Sequence, residues 1–67
     1  MKRIGVVGAS GRTGSHVVEA LKRSSTCALH VAVVSPGSPR VGHEVAGTGV
    51  SYSSDLGVLA ACDAVVD

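Results

Sequence analysis

An α/β fold with a doubly wound parallel sheet is what the sequence predicts, on three observations. Short Val-rich runs alternate with a segment of helical periodicity, a glycine turn joins the first run to that segment, and Tyr52 is the single aromatic residue, so Val, Ala, Leu and Ile carry the apolar content. Strands covered on both faces read as near-continuous β-branched runs. Strands that alternate with helices pair in parallel, because the helix returns the chain to the starting edge. The expected order is β-α-β-β-α-β.

Arg3 to Val7 is a β-branched run that stops at Gly8, which predicts a buried strand entering a tight turn. From Thr13 the pattern changes. Val17, Val18 and Leu21 recur at helical spacing, Glu19 and Lys22 lie on other faces, and Arg23-Ser24-Ser25 closes the segment, which predicts a helix of about two to three turns. Leu29 to Val34 is the second strand, ended by Ser35-Pro36-Gly37-Ser38-Pro39, a stretch holding both prolines. The crossover between these parallel strands is expected to be right-handed. Residues 35 to 49 form a long connection rich in Gly, Pro and Ser, with a short helical piece expected around Val41 to Ala46; loops of this length tend to be functional or mobile. Val50 to Tyr52 is a brief third strand, and Ser53 or Ser54 is expected to cap a helix with Leu56, Leu59 and Ala60 on one face, weakened by Gly57. Ala64-Val65-Val66 opens a last strand at which the alternation breaks off, at Asp67, and this predicts a fragment.

A chain of 67 residues is one small unit at most, burying only about 60% of the surface exposed when unfolded. With 6 Lys+Arg against 5 Asp+Glu, it lacks the basic field that holds nucleic acid nonspecifically, so no nucleic-acid partner is expected. No apolar run approaches the roughly 20 residues that cross a bilayer, and Ile4-Gly5-Val6-Val7-Gly8 is too short for a signal core. A cytoplasmic chain with no membrane partner is the expectation. Cys27 and Cys62 lack a CxxC spacing and nearby His pairs, so they read as plain thiols.

Chemistry concentrates in Gly8-Ala9-Ser10-Gly11-Arg12-Thr13-Gly14, a GxxGxxG turn between first strand and first helix. Gly8 permits a sharp turn, Gly11 lets backbone N–H groups approach a pyrophosphate, and Gly14 lets the helix pack close to the strand, the logic of a Rossmann-like dinucleotide site. The phosphates then meet unpaired N–H groups and the positive end of the helix dipole. Arg12 points toward phosphate or adenine, and Thr13 offers its hydroxyl or N–H near the pyrophosphate. No Lys follows the glycines, which excludes a Walker A loop.

In dinucleotide folds a carboxylate about 20 residues past the glycines accepts the ribose hydroxyls and selects NAD. None stands there: between Glu19 and Glu44 the chain has no acidic residue, and the second strand ends at Val34-Ser35, followed by Arg40. A 2′-phosphate can be met by Ser35 and by a charge-assisted pair from Arg40. NADPH is therefore the preferred cofactor, with NADH second. His16, His30 and His43 are scattered and read as structural or solvated; Asp55 reads as a helix cap and Asp63 as a turn residue before the last strand. Asp67 stands at a strand's carboxyl end, the edge where such folds bind ligands. No Ser/His/Asp, paired-carboxylate or Cys/His set can be assembled, so a binding surface without catalytic machinery is expected.

The opening Ile4-Gly5-Val6-Val7-Gly8-Ala9-Ser10-Gly11-Arg12-Thr13-Gly14, the loop Val41-Gly42-His43-Glu44-Val45-Ala46-Gly47, Tyr52-Ser53-Ser54-Asp55-Leu56 and Cys62-Asp63-Ala64-Val65-Val66-Asp67 resemble the N-terminus of the 4-hydroxy-tetrahydrodipicolinate reductase family, formerly dihydrodipicolinate reductase. The family turn usually reads GxxGRMG, so Arg12 coincides and Thr13 replaces methionine. The resemblance implies that residues 1–67 are the N-terminal part of a dinucleotide-binding domain, and that the C-terminal substrate and tetramerisation domain is absent. It implies a parent homotetramer reducing a cyclic dicarboxylate with NADPH or NADH in diaminopimelate and lysine biosynthesis, and an inactive isolated chain. The family's paired histidines, lysine and Pro-Ser-Gly-Thr turn have no counterpart here. Many members keep an acidic residue after the second strand, and Val34-Ser35 departs from that pattern. The turn also resembles that of atypical short-chain dehydrogenases and NmrA-like proteins, and a noncatalytic dinucleotide sensor is a further alternative.

Overall fold

A computed structural model describes residues 1–67. Strand β1 (Lys2–Val7) leads through the glycine turn into helix α1 (Arg12–Arg23); β2 (Cys27–Val33), β3 (Tyr52–Ser53), a 3₁₀ helix (Leu56–Ala61) and β4 (Ala64–Val66) follow. The strands form one sheet in the order β3-β2-β1-β4, and all three pairings are parallel. The chain moves outward from β1 to β3, then returns to the other side of β1. The Rossmann-like α/β expectation is met, and the direction reverses at β1.

Side chains alternate across β1, which decides what each face carries. Ile4 and Val6 face α1 and join Val18, Ala9, Ala32 and Val45 in the core. Gly5 faces the opposite side, where a Cβ built on it would stand 2.7 Å from Leu59 Cδ2 and 2.9 Å from Cys62 Sγ. The 3₁₀ helix therefore covers the face that α1 does not. In β2 the register slips by one residue: Ile4 pairs with Leu29, but Gly5 pairs with Val31. The extra residue, exposed His30, transfers the following side chains to the other face, as a bulge does.

Several expected elements are corrected. The piece around Val41 to Ala46 is not helical: it is built of turns and an antiparallel bridge between Glu44 and Ser51, with Tyr52 N–H donating to His43 O at 2.9 Å and Val45 N–H to Val50 O at 2.7 Å. This excursion lowers Val45, only 3% exposed, into the core beside α1; burying such a side chain is worth about 1.5–3 kcal/mol. The third strand is Tyr52–Ser53, not Val50 to Tyr52, and the second runs Cys27–Val33. The helix after it is 3₁₀ and is capped by Asp55, whose Oδ1 accepts from Gly57 N–H at 2.8 Å, and not by Ser53 or Ser54. Leu59 and Cys62 are half-buried against Gly5, while Leu56 is 61% exposed and Ala60 lies outside.

The start of β4 is pinned to β1 by a two-way link. Arg3 N–H donates to Asp63 Oδ2 at 2.6 Å, Asp63 N–H donates to Arg3 O at 2.7 Å, and Arg3 Nε lies 3.6 Å from the same carboxylate. The Arg3 amide, with help from the charges of Arg3 and Lys2, holds the Asp63 carboxyl below its ordinary 3.8 against a smaller opposing effect of desolvation. A carboxyl depressed in the folded state stabilises above its unfolded pKa, and that contribution disappears as pH falls through the folded value. The urea midpoint is therefore expected to fall as pH drops below 3.8. Asp63→Asn should lower it at neutral pH and converge with wild type in acid. A constant gap across the titration overturns the assignment.

Candidate functional site

The carboxyl end of β1 is where strand order reverses, and in open parallel sheets ligands bind in the crevice at such a point. The site begins with Gly8, whose φ of +71° lies in the left-handed region that glycine enters without a Cβ penalty. Gly8 and Ala9 N–H groups both donate to Val33 O, at 2.9 and 3.1 Å, and Gly11 N–H donates to Gly8 O at 3.0 Å. These bonds fix the turn to β2. Gly11 then precedes α1 in extended conformation (φ −77°, ψ 176°) with no side-chain cap.

Without a capping side chain, the N–H groups of Arg12, Thr13 and Gly14 find no acceptor in the protein; the next one, Ser15, donates to Gly11 O at 2.8 Å. Three donors thus converge at the positive end of a three-turn helix. Gly14 brings that end against the turn: a Cβ there would stand 2.0 Å from Gly8 O, 2.7 Å from Gly8 C and 2.9 Å from Ala9 Cα. A Cβ on Gly11 would meet only Gly8 O, at 3.3 Å. The two glycines differ in kind. Gly14 is demanded by packing, whereas Gly11 leaves an open approach to the donors.

A cleft of about 420 Å³ opens over this turn, lined by Gly8, Gly11, Arg12, Thr13, Gly14 and Val17 on one side and by Val66 and Asp67 of the β4 end on the other. The Arg12 side chain is exposed and makes no ion pair, while its carbonyl accepts from Ser15 Oγ at 3.0 Å. Ala9 turns its methyl into the core at 1% exposure, and Ser10 lies exposed outside the cleft.

A second cleft, about 360 Å³, lies on the other side of Gly8 between the ends of β1 and β2. Its walls are Val7, Val33, Val34, Pro36 and Leu56, with Ser35 and Ser54 as the polar side chains. Arg40 is not among them. It lines a separate cleft with His43, Glu44 and Tyr52, where Glu44 is engaged by Gly49 N–H at 3.1 Å and the Arg40 guanidinium has no ion-pair partner. The structure therefore brings together Gly8, Gly11, Arg12, Thr13 and Gly14, keeps Ser35 one cleft away, and holds Arg40 apart from both. Ser54 and Leu56 were legible only as helix residues; the β2–β3 register that carries them to the cleft rests on a strand of two residues, too short to read. No group of three or more His, Cys, Asp or Glu side chains is placed to hold a metal ion, and no helix is long and apolar enough to cross a membrane.

The family model described as dihydrodipicolinate reductase, N-terminus, matches residues 2–67. The 4-hydroxy-tetrahydrodipicolinate reductase of Citrifermentans bemidjiense is 35% identical over an alignment spanning 100% of this chain and 28% of the relative. The reductase of the same name from Bordetella parapertussis is 34% identical, spanning 98% of this chain and 26% of the relative. The chain thus covers only 26–28% of the length of these curated relatives. The matched segment contains every strand pairing, the glycine turn and both clefts at the carboxyl ends of β1 and β2, and on that match the chain belongs to the dihydrodipicolinate reductase N-terminal family.

Proposed function

We propose that this chain is the nicotinamide dinucleotide-binding part of a 4-hydroxy-tetrahydrodipicolinate reductase, with the diphosphate over the glycine turn and the adenosine end toward Ser35. One observation carries the reading: Arg12, Thr13 and Gly14 present three N–H groups without acceptors beside a Gly11 that has no side chain to block them. That donor set fits a diphosphate, whose oxygens accept several hydrogen bonds at once. Gly8, Gly11, Thr13 and Gly14 would hold the diphosphate by backbone, with Arg12 adding charge, and Ala9 and Ser10 would shape the turn. When bound, a reduced nicotinamide nucleotide supplies a hydride; the protein contributes binding and orientation. The parent would reduce a cyclic dicarboxylate in diaminopimelate and lysine biosynthesis, its catalytic residues lying outside these 67 residues. The names of the relatives and the family match support this reading. The test is titration with NADPH and NADH, followed by amide shifts of Gly8 to Gly14. Shifts confined elsewhere would sink it.

Cofactor choice follows from charge. No carboxylate stands at the end of β2, and Arg40 is the first cation after Ser35 along the chain and is free of any ion pair. With Arg12 as alternative partner, it would swing to meet a 2′-phosphate. A hydrogen bond to a charged group is worth about 1.5–3 kcal/mol, or roughly ten- to a hundredfold in affinity. NADPH is expected to bind tighter than NADH by about that factor, and Arg40→Ala should erase most of the difference with little change in NADH affinity. Dissociation constants for both nucleotides at fixed ionic strength decide it; equal constants in wild type remove Arg40 from the site.

A further inference from the structure

The hydroxyl of Ser54 has no role in the local fold. The 3₁₀ helix that follows is capped by Asp55, and Ser53 Oγ accepts from Asp55 N–H at 3.1 Å, while Ser54 Oγ engages no partner although the residue is half-buried. Ser35 Oγ is likewise unpaired. Val33 pairs with Ser53, and Val34 N–H donates to Ser53 O at 2.8 Å, so Ser54 leaves the end of β3 level with Val34, with Ser35 one residue further along the end of the adjacent β2. Both line the cleft next to Gly8, whose other walls are apolar and which contains no charged side chain.

We propose that Ser54, with Ser35, forms a two-hydroxyl seat for the 2′-substituent of the adenosine ribose, and that Ser54 is a specificity-determining residue for NADPH over NADH. The proposal rests on the dinucleotide reading above. Hydroxyls in an uncharged, largely apolar cleft have one useful property here. Each donates a charge-assisted hydrogen bond to a phosphate oxygen but only an ordinary one to a ribose hydroxyl, and the former is about twice as strong. Neither repels a phosphate, as a carboxylate at the same place would. Leu56, exposed at the rim, offers an apolar surface to the adjoining base. Ser54 stands in a different cleft from Arg40.

The experiment is calorimetric titration of the 67-residue chain and its variants with NADPH and with NADH. Ser54→Ala is expected to weaken NADPH about tenfold and NADH no more than about threefold. Ser54→Thr, which keeps the hydroxyl, should restore the wild-type ratio, and Ser54→Asp should lose NADPH by more than about tenfold while retaining NADH. Unchanged affinities in Ser54→Ala, with Gly11→Val still abolishing binding, overturn the Ser54 assignment and leave the dinucleotide reading standing. Equal weakening of both nucleotides also overturns it, because the hydroxyl would then contact a group common to the two. A wild-type chain that binds neither nucleotide brings down both readings.

Discussion

Gly11→Val is expected to abolish nucleotide binding while leaving the fold in place. The backbone at Gly11 is extended, with φ −77° and ψ 176°, a conformation any residue adopts. A Cβ there meets only Gly8 O at 3.3 Å, an approach that a shift of a few tenths of an ångström relieves. What the branched side chain does obstruct is the space in front of the Arg12, Thr13 and Gly14 N–H groups, which have no acceptor in the protein. Losing two hydrogen bonds to a charged diphosphate costs about 3–6 kcal/mol, a loss of roughly a hundredfold or more in affinity. Calorimetry with NADPH measures the loss, and an unchanged far-ultraviolet circular dichroism spectrum verifies the fold. Retained affinity would mean that the diphosphate does not lie over this turn.

Gly14→Ala is expected to do the opposite damage, lowering the stability of the chain before any ligand is considered. The new Cβ would stand 2.0 Å from Gly8 O and within 3 Å of two further backbone atoms, Gly8 C at 2.7 Å and Ala9 Cα at 2.9 Å. None of these can rotate away, so α1 must move off β1 or the turn must open. Overpacking of this kind costs about 1–3 kcal/mol and more where backbone is involved, against about 1 kcal/mol returned by replacing glycine with alanine inside a helix. Native stability is only about 0.05–0.15 kcal/mol per residue, and 11 of 67 residues are buried here, so little margin exists to absorb the difference. Urea unfolding followed by circular dichroism is the measurement. A midpoint equal to wild type would show that α1 and β1 do not approach as closely as Gly14 implies.

Part of this molecule was written in short-range patterns. Arg3 to Val7 declared a buried strand and Val17, Val18 and Leu21 a helical stripe, because a β-branched run and 3.6-residue spacing are properties of a few consecutive residues. The glycine turn was equally legible, since its seven residues carry out their task within one local bend. Asp55 was correctly readable as a cap. The long connection was not legible, because its purpose is nonlocal: Val45 is buried against Ile4, Val6 and Val18, residues about 30 to 40 positions earlier in a contact that no local pattern encodes. The same holds for the face of the 3₁₀ helix. Leu56, Leu59 and Ala60 suit an α-helical face, but with Gly57 in the middle the segment winds at three residues per turn, and Gly5 receives Leu59 and Cys62 instead.

The sequence by itself determined the α/β class, the β1–turn–α1 unit and the glycines of the turn, because each follows from backbone sterics and hydrophobic period over a handful of neighbours. Only the tertiary structure decided that β4 returns to the far side of β1, so that Val66 and Asp67 close the glycine cleft. It alone also decided that Ser54 rather than Arg40 shares a cleft with Ser35. The physical reason is strand register: which residues stand side by side at a sheet's edge is set by hydrogen bonds between segments distant in the chain, and a strand of two residues carries too short a pattern to announce its partner.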